Sequence, residues 1–356
     1  MEKILTIVIP SYNTEKFVDK NIVTFIASKY FDNLDIIFVN DGSKDNTAKV
    51  VQKYVDLYPQ SIRLVNKENG GHGSTINVGI QEAKGKYFKV VDGDDYVDTV
   101  ELDKLLTEIR DINVDVVMAN FNFVSAVTGE KRLQTPDYSV IAKSDFVERR
   151  KILPLEDVLP KVQGCFHINY YRTDLLKENK EIKLSEHTFY EDTEYYLFPM
   201  AYAKTIYVSD CNVYQYLVDQ ATQSCSAENF QRRVDEHGKV MLGLAKFYSR
   251  HFGNAHRNVK DYAVRSIAMH VLTQYAIHVS FKENYRLHAK CMKDFDRDLK
   301  ACSQEIYDFS NRYPAIFLVR KSNYILFPLL CFIKHNNGLR SIFCIINRGI
   351  RKVIGV

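Results

Sequence analysis

Tyr87-Phe88-Lys89-Val90-Val91-Asp92-Gly93-Asp94-Asp95 is the stretch on which the reading of this 356-residue chain turns. A mostly apolar run, with the look of a buried strand, gives way at once to a cluster of carboxylates. A strand delivers its C-terminal end to the edge of a sheet, and open α/β sheets bind ligands in the crevice outside those ends. Carboxylates crowded at such a place repel one another, and a cation relieves the repulsion. Hard oxygen donors of this kind suit Mg²⁺ or Mn²⁺, and Mg²⁺ commonly shares its shell with substrate phosphates. The same residues also suit a plain acidic strand-to-helix turn, with Asp98 as the N-cap of the helix that follows.

Upstream, strand and helix signals alternate. Residues 4–9 read as a buried strand stopped by Pro10, residues 35–39 as a second strand ended by Asn40-Asp41-Gly42-Ser43, and residues 62–65 as a third. Helices are expected at 15–29, 45–58 and 74–83, with Gly85 ahead of the strand 86–91. This rhythm implies an α/β fold with a parallel sheet and right-handed crossovers. A further strand is expected at 114–118, short strands and loops over 121–165, a tyrosine-rich segment over 165–225, and helices over 227–308. Val264, Ile267, Ala268, Val271, Leu272, Tyr275 and Val279 recur at helical spacing along one face.

Three strand ends fall on one sheet edge: Pro10-Ser11-Tyr12-Asn13, Asp41-Gly42-Ser43 and Asp92–Asp95. Asp41 offers an acceptor for a base N–H, and the backbone around it can bond a uracil-like ring. Gly70, Gly71 and Gly73 permit close backbone approach and positive φ. Their loop is neither a dinucleotide fingerprint, since Ile76 stands where the third glycine is needed, nor a P-loop, since no Lys precedes Ser74. It reads equally as a tight turn and as a ligand contact.

Together, Pro10–Glu15, Asp41–Thr47, the Gly70–Asn77 loop and Asp92–Asp95 resemble family-two glycosyltransferases in order and spacing over about the first hundred residues. The resemblance implies a Rossmann-like mixed sheet, the type-A nucleotide-sugar-binding fold, and inversion at the anomeric carbon. It implies that Pro10, Tyr12, Glu15 and Asp41 surround the nucleotide base, with Asn77, Asp92 and Asp94 also on the nucleotide-sugar. Asp94 and Asp95 are held jointly as ligands of a diphosphate-bound Mg or Mn ion. Ile76 stands where many relatives carry Arg. Phe189-Tyr190-Glu191-Asp192-Thr193-Glu194 resembles the family's Glu-Asp motif, which implies Asp192 as the general base. An inverting displacement needs such a group to take the acceptor's proton. Taken without the resemblance, the residues read first as a helix N-terminus with dipole-favoured acids. Val213–Leu217 with Gln223-Ser224 resembles the segment that closes over the diphosphate. A processive synthase signature is absent, because the chain has no tryptophan.

The expected organisation is a nucleotide-sugar-binding half (1–100), an acceptor-binding half (101–226), a helical region (227–308) and a basic amphipathic tail (309–356). Apolar content of 46% with 26% charged residues describes a globular protein rather than a disordered one. The net charge of +4 hides an asymmetry: no acidic residue follows Asp308, and the tail carries eight basic ones. Seven scattered cysteines without a C-x-x-C pair point to neither zinc nor a disulfide framework and fit a reducing cytosol. No signal peptide is read at the N-terminus, and no apolar run reaches the ~18 residues of a spanning helix.

The leading expectation is therefore a hexosyltransferase moving sugar from a nucleoside diphosphate, UDP, to a hydroxyl of a saccharide or lipid-linked saccharide. That chemistry belongs to bacterial surface polysaccharide or glycoconjugate synthesis at the inner face of the cell membrane. A nucleotidyltransferase would also use carboxylates and metal, but needs a basic phosphate loop that residues 9–17 lack apart from Lys16. A non-catalytic, membrane-docking protein on the same fold is the other alternative. In the tail, Tyr313–Val319, Tyr324–Ile333 and Ile342–Ile346 are short apolar stretches among unopposed positive charges. They suit either an anionic membrane surface or a helical cap with a solvated basic face; a nucleic-acid arm would need less aliphatic content.

Overall fold

The computed structural model describes residues 2–135, 148–219 and 227–336. Its contacts divide the chain into two units, Met1–Gln223 and Ser224–Val356.

The first unit opens with β1 (Leu5–Ser11), α1 (Glu15–Ile26), β2 (Leu34–Asp41), α2 (Thr47–Leu57), β3 (Ile62–Lys67), α3 (His72–Glu82) and β4 (Tyr87–Val90). Every residue of β1, β2 and β4 is buried, as expected of central strands covered on both faces. These four strands run parallel, with β1 between β2 and β4, so their carboxyl ends share one edge. Pro10 lies within β1 rather than after it, and the strand stops at Ser11.

The chain continues through β5 (Tyr96–Val97), α4 (Thr99–Ile109), β6 (Val116–Ser125), β7 (Lys131–Gln134), β8 (Ile152–Pro154), α5 (Leu155–Val158), β9 (Asn169–Arg172), α6 (Thr173–Glu178), α7 (Asp192–Leu197) and β10 (Thr205–Val218). The sheet order is β3-β2-β1-β4-β9-β6-β10-β5, with β7 on β6 and β8 on β10. Strand β9 runs antiparallel to both β4 and β6, so the sheet is mixed. The polarity changes beside β4, the strand that feeds the acidic turn. Irregular register between Val208 and Tyr214 lets the long β10 follow β6 in parallel and still meet β5 antiparallel, Tyr214 opposite Val97. That pairing sets the tyrosine-rich strand beside the carboxylates of residues 92–95. Asp98 caps α4, its side chain accepting from the Glu101 N–H.

The second unit holds α8 (Ala227–Arg232), α9 (Val234–His251), α10 (Arg257–Val279), α11 (Tyr285–Cys302), α12 (Gln304–Ser310), α13 (Pro314–Lys321) and α14 (Phe327–His335). The stripe on α10 is buried at Val264, Ile267, Ala268, Val271 and Tyr275, whereas Leu272 and Val279 sit at its margin. The tail reading needs one correction. Arg320 is not an unopposed charge: its guanidinium meets Asp296 of α11 at 2.6 Å and also bonds the Tyr307 carbonyl, Ser310 and Asn311. Tyr275 and Tyr324 donate to the same Asp296 carboxylate. The reason is tertiary, since the acid that matches Arg320 lies outside the tail. Among the described residues, no helix is long and apolar enough to cross a membrane. The stretch Ile342–Ile346 and Gln223-Ser224 lie outside the described residues.

Candidate active site

The first two strand ends are laced together. The Asn13 N–H donates to Ser43 at 3.0 Å, and the Lys44 N–H donates to the Asn13 side chain at 2.8 Å. Glu15 accepts from the Asn46 N–H at 2.8 Å, while Tyr12 stands 48% exposed on the same edge. Asp41 is buried and fully engaged. Its carboxylate accepts from Lys67 at 2.7 Å and from the Gly70 and Gly71 N–H groups at 2.9 Å each. Asp41 therefore builds the glycine loop, and its side chain offers less to an incoming base than the sequence suggests.

The glycine loop needs its glycines. Gly71 has φ +84°, and a Cβ on Gly73 would come within 2.2 Å of the Ser185 carbonyl oxygen. This close packing brings the start of α3 against the loop that leads to Glu191-Asp192. Asn77 clamps the same loop, donating to the Leu184 carbonyl and accepting from the Leu184 N–H, both at 2.9 Å. Its amide thus orders the protein itself. Glu194 fastens the other side, accepting from the Ser185 N–H and hydroxyl. Burial pushes the Glu194 carboxyl up to about 7.

The residue that joins the two halves is His72, the first residue of α3. Its Nε2 lies 2.9 Å from Asp92 and its Nδ1 lies 2.8 Å from Glu191, with Asp192 at 3.8 Å. Burial works against charge on the ring, but its hydrogen bonds to Asp92 and Glu191 outweigh it and raise the imidazole well above its ordinary range. The ring thus bridges the acidic turn and the Glu191-Asp192 segment. Sequence reasoning passed over it, because the loop was read for its glycines; a lone histidine inside a glycine loop was the available signal.

The four residues of the acidic turn separate in role. Asp92 faces His72. Asp94 is half-buried at the turn. Asp95 points inward, 2% exposed, and accepts from the Tyr214 hydroxyl at 2.6 Å and the Leu217 N–H at 2.7 Å. Burial and the charges of Asp92 and Asp94 raise the Asp95 carboxyl well above the usual range. The segment Val213–Leu217, expected as a closing segment, belongs to β10 and is pinned to the turn by these bonds.

Beneath the turn lies Lys89, fully buried, its ammonium bonded to the carbonyls of Phe166, His167 and Asn169. Burial lowers it to about 7. His167, stacked on Phe121 and Tyr216, is driven down to about 3 by burial.

Asp192 opens α7, and its side chain is 58% exposed. The desolvating walls of the site, then the Glu191 charge, push its carboxyl up to about 7. Glu191 is buried, with one carboxylate oxygen on His72 and the other without a partner among the described residues. Among the described residues, two groups have ligand-type atoms within 4.8 Å of one another: His72, Glu191 and Asp192, and Asp92, Asp95 and His167. An exposed carboxylate with a raised proton affinity, beside a cleft edge rich in oxygen donors, can accept a proton from a hydroxyl near neutral pH.

Residues 6–178 match the model of Glycosyl transferase family 2. The uncharacterized glycosyltransferase EpsJ of Bacillus subtilis is 24% identical over 263 residues, 72% of each chain. Glycosyltransferase GlyG of Streptococcus pneumoniae is 32% identical over 139 residues, 36% of this chain and 46% of its own. The minor teichoic acid biosynthesis protein GgaB of Bacillus subtilis is 30% identical over 131 residues, which is 36% of this chain and 15% of that one. Among solved structures, S. aureus TarS in complex with UDP superposes with a TM-score of 0.65 at 20% identity, covering 90% of this chain and 89% of that one. Its fold is the mixed sheet with flanking helices described above. Residues 6–178 are thus a family-two glycosyltransferase domain.

Proposed function

We propose that the chain moves a hexose-type sugar, with inversion, from UDP to a hydroxyl of a saccharide or lipid-linked saccharide. The setting is bacterial surface polysaccharide or glycoconjugate synthesis at the inner face of the cell membrane. The observation that carries the reading is the His72 bridge, which sets the acidic turn and the Glu191-Asp192 segment on either side of one imidazole ring. Relatives support the choice of donor and product: TarS has been crystallised with UDP and with UDP-GlcNAc, and GgaB is named for teichoic acid biosynthesis.

The acceptor hydroxyl forms a bond to the anomeric carbon as the bond from that carbon to the diphosphate oxygen breaks. Asp192 takes the hydroxyl proton, and its exposure leaves it within reach of an acceptor. Pro10, Tyr12, Glu15 and the backbone around Asp41 form the edge for the base. Lys67 and the Gly70 and Gly71 amides keep the Asp41 carboxylate in place rather than leaving it to the donor.

Divalent metal suits the acidic turn on two grounds: Asp92, Asp94 and Asp95 offer carboxylate oxygens there, and after burial the charges of Asp92 and Asp94 raise the Asp95 carboxyl, a repulsion that a cation would relieve. Asp94, backed by Asp92, would hold Mg or Mn, while Asp95 shapes the turn through Tyr214 and Leu217. When bound, the ion offsets the charge of the departing diphosphate. The test is titration calorimetry of UDP with and without EDTA. Chelation and Asp94→Asn are each expected to weaken UDP binding at least tenfold in a protein that still folds. UDP affinity indifferent to chelation would remove the metal from the reading.

A further inference from the structure

The helical unit carries an apolar surface that its own packing does not use. Helices α13 and α14 bury one face, through Ile316, Val319, Phe327 and Cys331, and Arg320 is clamped on Asp296. Their other face exposes Phe317, Leu318, Ile325, Leu326, Leu329 and Phe332, from 37% to 78%. These six are drawn from sixteen large apolar side chains exposed among the described residues, so the exposure is concentrated in one short segment. Scattered single apolar residues need no explanation; a contiguous set does.

The arrangement follows helical spacing. Phe317 and Lys321 are four apart on α13, and Leu329 and Phe332 are three apart on α14, with Ile325 and Leu326 in the turn between them. Lys321 is exposed, its ammonium 5.4 Å from the centre of the Phe317 ring. Lys334 follows at the end of α14, and no acidic residue occurs anywhere after Asp308. Lys334 turns to the packed side, where its ammonium bonds the Ala276 carbonyl, so Lys321 is the cation set beside the exposed apolar face. An apolar face with an exposed cation at its edge is complementary to a surface that is greasy inside and negative outside.

From this surface we propose that the exposed face of α13 and α14 docks on an anionic lipid bilayer. Phe317, Ile325, Leu329 and Phe332 enter the headgroup–acyl boundary, and Lys321 lies among the phosphates. A monotopic element of this kind buries a helix face by only a few ångströms and needs no spanning helix. The face is too aliphatic for a nucleic-acid backbone, whose recognition asks for charge and flat stacking rings. The inference stands apart from the sugar-transfer reading, because lipid binding is read with no sugar nucleotide present.

The experiment is co-sedimentation of the full chain with phosphatidylcholine vesicles and with vesicles containing phosphatidylglycerol. Each basic residue near an anionic surface contributes about a fivefold factor in partition. Wild type is expected on the phosphatidylglycerol vesicles at least fivefold more strongly than on phosphatidylcholine alone, and raised salt should weaken it. Ile325→Glu with Phe332→Glu should lower partition at least tenfold, and Lys321→Glu about fivefold or more. Val127→Glu, an equally exposed apolar residue of the first unit, should leave it unchanged. Because these side chains are at the surface, circular dichroism should show every variant folded. Partition indifferent to phosphatidylglycerol, or equal partition of the double variant, would overturn the proposal. So would a concentration-dependent dimer in sedimentation velocity that the double variant abolishes, because a second copy would then be the occupant.

Discussion

Replacing His72 by Ala is the perturbation whose size the structure lets one work out. The Glu191 side chain is 3% exposed, and one of its oxygens already lacks a partner; its other oxygen rests on His72. Removing the ring leaves a buried carboxylate with no countercharge. Breaking a buried pair in this way costs about 3–5 kcal/mol. One feature lowers that figure here: the histidine side is 28% exposed, so water can partly refill the gap. The expected loss is about 2–3 kcal/mol, or roughly 4–12 °C in the melting temperature of a unit of this size. The assay is thermal and urea unfolding followed by circular dichroism. The same His72→Ala change made in a Glu191→Gln background should cost about 1 kcal/mol or less, because no buried charge is then stranded. A loss under about 0.5 kcal/mol, or an equal loss in both backgrounds, would refute the reasoning.

Asp192→Asn should leave UDP affinity within about threefold while lowering turnover by about 10² to 10⁴, since the amide cannot take a proton. The wild-type rate should rise with pH through about 7, the raised value of the Asp192 carboxyl, because the working form is deprotonated above it; a wild-type rate flat from acid to neutral pH would count against the base assignment. Asp95→Asn should differ in kind from Asp94→Asn. The amide can still accept from one of Tyr214 and Leu217 but turns a donor toward the other, costing about 1–3 kcal/mol of stability, whereas Asp94→Asn should leave the melting temperature within about 2 °C.

Features that depend on neighbours in the chain were legible in advance. The strands of the first hundred residues announce themselves by apolar runs that end near Ser11, Asp41-Gly42 and Asp92-Gly93, and the helical spacing on α10 marks its buried face. What depends on distant partners was not. His72 meets an acid 20 residues away and another 119 away, and nothing local marks the meeting. Asp95 looks like its neighbour Asp94, and only the pairing of β5 with a strand 119 residues later turns it inward. Asn77 reads as part of a donor loop until the fold sets it against Leu184, 107 residues on. Arg320 looked solvated because its partner, Asp296, belongs to an earlier helix. In each case the partner is set by tertiary structure, which no local sequence pattern carries.

The measurement that bears most directly on the central claim is proton NMR of the sugar first released when the protein meets a panel of UDP-α-hexoses with Mn²⁺. Displacement with inversion, assisted by Asp192, predicts that at least one donor yields the β-anomer before mutarotation, and that Asp192→Asn releases sugar at least 100-fold more slowly. First release of the α-anomer would contradict the account, as would binding of UDP with no turnover of any donor when saccharide acceptors are supplied.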